Sequence, residues 1–260
     1  MRDDAEPGQA IQLTDLPEIG QMTRVHVFSM GPIRPGQERD RIIGWARDAT
    51  RGLDDGLISW CASQPGAPGP PTGPPPPPAI YLARIAFDTD GNITGLAEPL
   101  SSTPLVTSAT THDWSPDGRR LVYTKPGRTN VLHIFDLTTG QSSALTEGEA
   151  PAWSPDGAWI AFHRGRASLH LIRPDGSALR TLARKDPPPG TVLMPIGPGF
   201  YRVVWAPDSS ALVYDFWDYW GLNITHHELF HLSLSGGKPQ RLTPNLMTDA
   251  SPVAWFEGEK

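Results

Sequence analysis

Three stretches of this 260-residue sequence stand out among those whose residue types could do chemistry. The first, His227-Glu228-Leu229-Phe230-His231, is a formal H-E-x-x-H. On a helix its two imidazoles would stand one turn apart and share a zinc ion while the glutamate activates a water. Here the pattern alternates instead, with Phe230, Leu232 and Leu234 on one side and His227, Leu229, His231 and Ser233 on the other, which is the period of a strand. Four strand residues span roughly 13 Å, too far for two imidazoles to reach one ion at about 2.0–2.1 Å each. His231 also falls in an apparent repeat with His133 and His170, each flanked by apolar residues, which explains it without a metal. The expectation is a strand, with no zinc and no peptidase activity.

The second stretch, Asp88-Thr89-Asp90-Gly91-Asn92, has its glycine two positions too early for a calcium loop and reads as a hairpin turn. Gly140-Gln141-Ser142-Ser143-Ala144 leaves a turn and enters a strand, without the following helix that a serine nucleophile elbow needs. Asn92-Ile93-Thr94 and Asn223-Ile224-Thr225 are glycosylation sequons by formula only. No catalytic, cofactor-binding or metal-ligating residue is therefore assigned. The third stretch, Phe216, Trp217, Tyr219 and Trp220, is read as a loop after a strand. Its aromatics either pack under that loop or form an exposed hot spot, since Trp and Tyr concentrate binding energy. They are the candidate binding site.

What must position these residues is read from composition and repeats. Gly 26 and Pro 29 of 260 residues make long helices improbable, and helix is expected in less than about a tenth of the chain against an average of 30–35%. A net charge of −6 offers no positive field to neutralise phosphates, so nucleic acid is not an expected partner. Cys61 stands alone, which excludes an intrachain disulfide and a cysteine-based zinc cluster. No apolar run is long enough to span a bilayer, so membrane insertion is not expected, and the first residues read as no signal peptide.

Trp114-Ser-Pro-Asp-Gly118 recurs at 153–157 and, as Trp-Ala-Pro-Asp-Ser, at 205–209, with a weaker copy at Trp255. The tryptophans are 39, 52 and 50 residues apart, which fits four-stranded propeller blades with variable loops. Proline presets φ at the second turn position and glycine closes the turn, so the motif is a hairpin between a blade's first two strands. The tryptophan before it is expected to be buried against the neighbouring blade. A second signature, glycine followed five residues later by leucine, recurs at Gly8, Gly91, Gly140 and Gly237, with a one-residue slip at Gly176, and marks each last strand.

The chain is thus read as one propeller-type domain over 1–260, with clear blades at about 106–147, 148–185 and 198–245. Residues 1–105 are degenerate: 16–105 hold one blade with an extra strand, or one and a half blades, built around Trp45, Leu57, Ile58, Trp60 and 80–87, with 24–28 unplaced. Residues 64–78, QPGAPGPPTGPPPPP, cannot join a ladder and are extended polyproline, either a solvated loop or a ligand for a proline-recognising domain. Residues 186–190 are a smaller insertion of this kind.

These repeats resemble the TolB-type propeller repeat, well over 106–256 and weakly over 8–105. The resemblance implies an all-β propeller, a periplasmic or otherwise extracytoplasmic bacterial setting, and a protein or peptide as partner without cofactor. Similar repeats form the gating propeller of prolyl-oligopeptidase-type serine peptidases, which keeps a peptidase-associated domain as the alternative. One departure matters: with a lone last-strand signature at 8–15 and a lone first strand at 251–256, the ring is incomplete or closes atypically by pairing its ends.

Overall fold

The computed structural model describes residues 43–47, 56–62, 78–87, 93–96, 103–165, 168–184, 199–220 and 224–243. Among these, every regular element is a strand. The strands form four antiparallel sheets, each joined in simple sequence order. Blade 1 holds β1 (Ile43–Arg47), β2 (Gly56–Ala62), β3 (Ala79–Phe87) and β4 (Ile93–Leu96). Blade 2 holds β5 (His112–Trp114), β6 (Arg120–Lys125), β7 (Val131–Asp136) and β8 (Gln141–Glu147). Blade 3 holds β9 (Glu149–Trp153), β10 (Ile160–Arg164), β11 (Ser168–Ile172) and β12 (Arg180–Arg184), and blade 4 holds β13 (Gly199–Trp205), β14 (Ala211–Trp220), β15 (Ile224–Ser233) and β16 (Gln240–Arg241).

The turn motif closes the first hairpin of blades 2, 3 and 4. The amides of Gly118, Gly157 and Ser209 each donate to the carbonyl three residues back, at 2.9 Å. In the first two copies the serine hydroxyl donates to the motif aspartate, Ser115 to Asp117 at 2.5 Å and Ser154 to Asp156 at 2.6 Å. The same hydroxyls accept the amides of Arg120 and Trp159, both at 2.9 Å, so one side chain ties both strands of the hairpin. The third copy has Ala206 in that place, and Ser209 adopts φ 61° where the others carry glycine. Left-handed backbone costs an L-residue roughly 1–2 kcal/mol. The hydroxyl of Ser209 offsets this by accepting the Asp156 amide of the blade 3 turn at 3.0 Å.

The first strands lie innermost: β1 packs on β5, β5 on β9 and β9 on β13, so the blades are arranged around a common axis in chain order. The last strands lie outside, and β8 and β12 are correspondingly polar, with mostly exposed residues. This is an all-β propeller arrangement. Its core consists of the contacts between consecutive blades. Trp114 packs with Ile80 of blade 1 and with Leu121, Tyr123 and Phe135 of its own blade. Trp153 packs with Val122, Leu132 and Ile134 of blade 2, and Trp205 with Ala161, Leu169 and Leu171 of blade 3. All three indoles are buried, as their place in the repeat requires.

Register corrects one inference from the sequence. His133 pairs with Tyr123 and His170 with Phe162, but the residue in that slot of blade 4 is Phe230, paired with Tyr214. The three pairs stack alike, at 5.4, 5.4 and 5.6 Å between centroids. His231 is therefore the counterpart of Ile134 and Leu171, one position further along and on the opposite face of the sheet. Strands β1 to β4 form one four-stranded sheet. The segments at 8–15, 24–28 and 251–256, on which ring closure turns, lie outside the described residues, as do 64–77 and 186–190. Among the described residues no helix is long and apolar enough to cross a membrane.

Two substitutions test the junctions. Trp153→Ala, a large-to-small change at 5% exposure, is expected to cost about 3–5 kcal/mol in a urea melt. Gly148 has φ 153°, and a Cβ there would meet Phe162 Cδ2 at 2.4 Å and the His163 carbonyl oxygen at 2.9 Å. Gly148→Ala is accordingly expected to lower the melting temperature by several degrees, and an unchanged melt would contradict the packing of β8 to β9 against β10.

Candidate functional site

The aromatic run sits in a strand. Residues 216–220 continue β14 and pair residue by residue with β15: Phe216 with Glu228, Trp217 with His227, Asp218 with His226, Tyr219 with Thr225 and Trp220 with Ile224. Placing Phe216, Trp217, Tyr219 and Trp220 in a loop after the strand is thus corrected. Extended pairing wins because aromatic and β-branched residues on facing strands favour it. The pair Phe216 and Glu228 is the counterpart of Lys125 with Val131 and of Arg164 with Ser168, where the hairpins of blades 2 and 3 stop. Blade 4 therefore adds four residue pairs, 217–220 with 224–227, a ribbon of roughly 13 Å beyond the hairpins of blades 2 and 3. It projects from the end of the blade opposite the motif turn, because β14 starts at that turn and runs away from it.

The H-E-x-x-H residues occupy β15, so the chelating geometry of a helix is not what this backbone provides. Glu228 instead forms an ion pair with Arg241 of β16 at 2.6 Å, and His231 pairs across from Val213. Gly140 closes the turn between β7 and β8 with φ 67°, and Gln141 begins a strand, not a helix. The turn at 88–92 and the asparagines of both sequons lie outside the described residues.

Sequence reasoning missed a buried polar junction among blades 1, 2 and 3. Ser59 Oγ lies 2.8 Å from His112 Nε2 and accepts the Trp114 indole N–H at 2.8 Å. A serine and a histidine at that distance make a nucleophile and base pair in principle. Ser59 is 0% exposed, however, so no substrate carbonyl reaches it, and the pair fastens blade 2 to blade 1. The next residue does the same on the other side: Asp113 accepts the Trp114 amide at 2.9 Å and the Trp153 amide of blade 3 at 2.6 Å. The signal was present as an irregularity, since the residue before the motif tryptophan is Asp113 in one copy but Ala152 and Val204 in the others. A second missed cluster is Trp159, whose ring centre lies 5.3 Å from the Arg173 guanidinium and 4.9 Å from that of Arg180.

Burial shapes the electrostatics of the junction. It pushes the Asp113 carboxyl from its ordinary 3.8 up to about 6, against the pull of the two amides. It pushes His112 from 6.5 down to about 4, against a hydrogen bond to the Ser59 backbone. Asp117 behaves oppposite to Asp113: burial raises it, but the Ser115 hydroxyl, the Arg119 amide and nearby arginines outweigh that and hold it low.

No family model matches this sequence. Over 80 residues it is 36% identical to an uncharacterised protein of Agrobacterium fabrum, covering 27% of each chain. Over 123 residues, 42% of this chain, it is 28% identical to the uncharacterised peptidase YuxL of Bacillus subtilis, of which it spans 17%. Among solved structures it is similar to TolB from Acinetobacter baumannii, at 18% identity and a TM-score of 0.47, over 74% of this chain and 42% of that one.

The junction makes a signed pH prediction. Asp113, with a raised folded pKa, stabilises the fold progressively as pH falls from about 6 to 3.8, and that contribution is lost as pH rises through 6. His112, with a lowered folded pKa, has the opposite effect: stability is lost as pH falls from 6.5 to about 4. Each shift corresponds to about 3 kcal/mol, so the two nearly cancel. Asp113→Asn leaves His112 unopposed, and its unfolding free energy is expected to fall by about 3 kcal/mol more than that of the parent between pH 7 and pH 4. Parallel pH profiles for the two proteins would contradict this.

Proposed function

We propose that this chain is a non-catalytic propeller module that binds a protein or peptide, and that the ribbon of β14 and β15 is its recognition edge. The observation carrying this reading is the four-pair extension, which places Trp217, Tyr219 and Trp220 beyond the length at which the other described hairpins end. Among the described residues β13 pairs with β14 only as far as Trp217, the first residue of the extension, and leaves 218–220 to β15. Tyr and Trp in such a ribbon bring large contact area at low entropic cost. Among the described residues, 218–220 of β14 pair with β15 alone, and in this reading the other edge offers its backbone groups to an extended peptide. In this reading the projecting ribbon is where the module binds its partner.

A second reading is favoured by one observation, the similarity to a Bacillus subtilis protein named as a peptidase. In that reading the chain is the propeller of a prolyl-oligopeptidase-type serine peptidase, and its ribbon contacts the catalytic domain. In cells, a serine-directed fluorophosphonate that labels a product containing this chain and exceeding 260 residues would select it.

A displayed random-peptide library panned on the chain tests the first reading. The parent is expected to enrich a peptide consensus, and the Trp217→Ala, Trp220→Ala double variant to enrich none while keeping its urea midpoint. An unfolding free energy lowered by several kcal/mol, as in a core substitution, would show packing instead of recognition.

A further inference from the structure

We infer that the rim between blades 3 and 4, at the motif-turn end, is a second contact surface, on which Arg173 and Arg180 take two carboxylates of an acidic peptide segment. Among blades 2, 3 and 4 the composition of this place is peculiar to blade 3. In blade 2, Arg120 stands opposite Asp136, and Ser143 of β8 stands opposite Ile134. The corresponding positions of blade 4 hold Ala211 opposite Ser233, and Gln240 opposite His231. Blade 3 instead has Trp159 and Arg173, each one residue beyond the pair of Ile160 with Ile172, and Arg180 opposite Leu171. An opposite-charge pair in one blade and neutral residues in another thus give way to two cations beside an indole.

Trp159 is half-buried against the cluster around Trp205, on the face of blade 3 that Leu171 also presents to blade 4. Both arginines are exposed, and their guanidiniums lie over the same indole, 5.3 and 4.9 Å from its centre. Stacking occupies the flat side of a guanidinium and leaves its in-plane N–H donors to be met elsewhere. Among the described residues neither Arg173 nor Arg180 forms an ion pair or donates a side-chain hydrogen bond. Asp175, in the same turn as Arg173, is engaged with the Ser177 amide at 2.8 Å. Two like charges on one sheet face repel each other, so an anionic ligand relieves that repulsion while it meets the donors.

Spacing and charge select the occupant. Arg180 faces Leu171, two residues before Arg173, so the arginines are diagonal neighbours on one face, roughly 7–8 Å apart. Alternate residues of an extended peptide stand on one side at nearly the same interval, roughly 7 Å. Each carboxylate offers two oxygens to the planar fork of a guanidinium, and the side chain between them meets the partly exposed indole. A long polyanion such as a nucleic acid, or an anionic membrane, fits less well. The chain carries a net charge of −6, and Asp156 and Asp208 are exposed in the motif turns at the same end of the molecule. This surface lies at the opposite end of the blades from the ribbon of β14 and β15, and the inference stands whether or not that ribbon binds a peptide.

The experiment titrates the full chain with a capped peptide carrying Glu-Val-Glu and follows the indole N–H signal of Trp159 by NMR, assigned by its loss in Trp159→Phe. A saturating shift is expected, weaker at higher salt and absent with the Gln-Val-Gln peptide. The Arg173→Gln, Arg180→Gln double variant should bind about tenfold more weakly. Arg119→Gln, which removes an exposed arginine of blade 2 at the same end, should bind as the parent does. In case the glutamine variant folds poorly, Arg173→Lys with Arg180→Lys keeps both charges without the planar fork and should lose most of the affinity as well. The Trp217→Ala, Trp220→Ala variant of the ribbon should bind this peptide unchanged, which keeps the two surfaces apart. The inference is overturned by the absence of a saturating shift, by equal affinity of the parent and the Arg173, Arg180 variants, or by equal binding of the glutamine peptide. It is also overturned if an oligonucleotide or an anionic vesicle moves the same signal at lower concentration than the peptide, or if the ribbon variant alone abolishes binding.

Discussion

The wedge of one motif tryptophan in each of blades 2, 3 and 4 is the interaction on which the rest of this structure depends. A four-stranded sheet has two faces to bury, and no sheet here can do so alone. Each motif indole fills the space between its own blade and the one before it, contributing the largest apolar surface available to a single side chain. Its polar atom is satisfied in the same place: Trp114 donates to Ser59 of blade 1, and Trp205 donates to the Ala152 carbonyl of blade 3 at 3.0 Å. Trp153 reaches its own turn at the Gly157 carbonyl, and its backbone amide takes the place of the indole by bonding Asp113 of blade 2. The motif turn fixes where each wedge enters. The turns themselves stack, with the Gly157 Cα so near Pro116 that an added Cβ would lie 3.3 Å from its Cγ.

A frame held at its inner strands leaves the far ends of its hairpins free to vary in length. Blades 2 and 3 use that freedom sparingly, whereas blade 4 extends its central hairpin by four residue pairs. The extension requires no change in the wedge beneath it, because Trp205, Leu212 and Leu232 lie at the opposite end of the same strands. A platform held at its inner strands and carrying a longer ribbon is consistent with the recognition role proposed above, in which scaffold and contact surface answer to separate constraints. The buried Ser59, His112 and Asp113 belong to the scaffold side of that division, fastening three blades at a point where the repeat departs from its own pattern.

Much of this was legible in the residues themselves. Proline, aspartate and glycine in fixed order after a tryptophan specify a hairpin through local backbone chemistry, so β5 to β6 and β9 to β10 could be placed without knowing any tertiary contact. The wedge role of Trp114, Trp153 and Trp205 followed from their phase. What was misread depended on non-local pairing. Whether 216–220 form a loop or a strand is decided by β15, not by their own composition. The slot of His231 was misjudged because the Leu-His-Ile and Phe-His-Leu strings look alike, while register, set by the facing strand, shifts one against the other and moves every side chain to the other face. The network around Ser59 and His112 joins residues 53 positions apart, and no local pattern announces it.

Native-state hydrogen exchange of the indole N–H groups of Trp114 and Trp205, followed as a function of urea, measures the wedge directly. If consecutive blades are held by these indoles, both should exchange only through global unfolding, with the same free energy and the same urea dependence as the amides of β5, β9 and β13. Exchange several orders of magnitude faster than those amides, with little urea dependence, would show that the indoles open locally while the blades stay together, and would contradict the account.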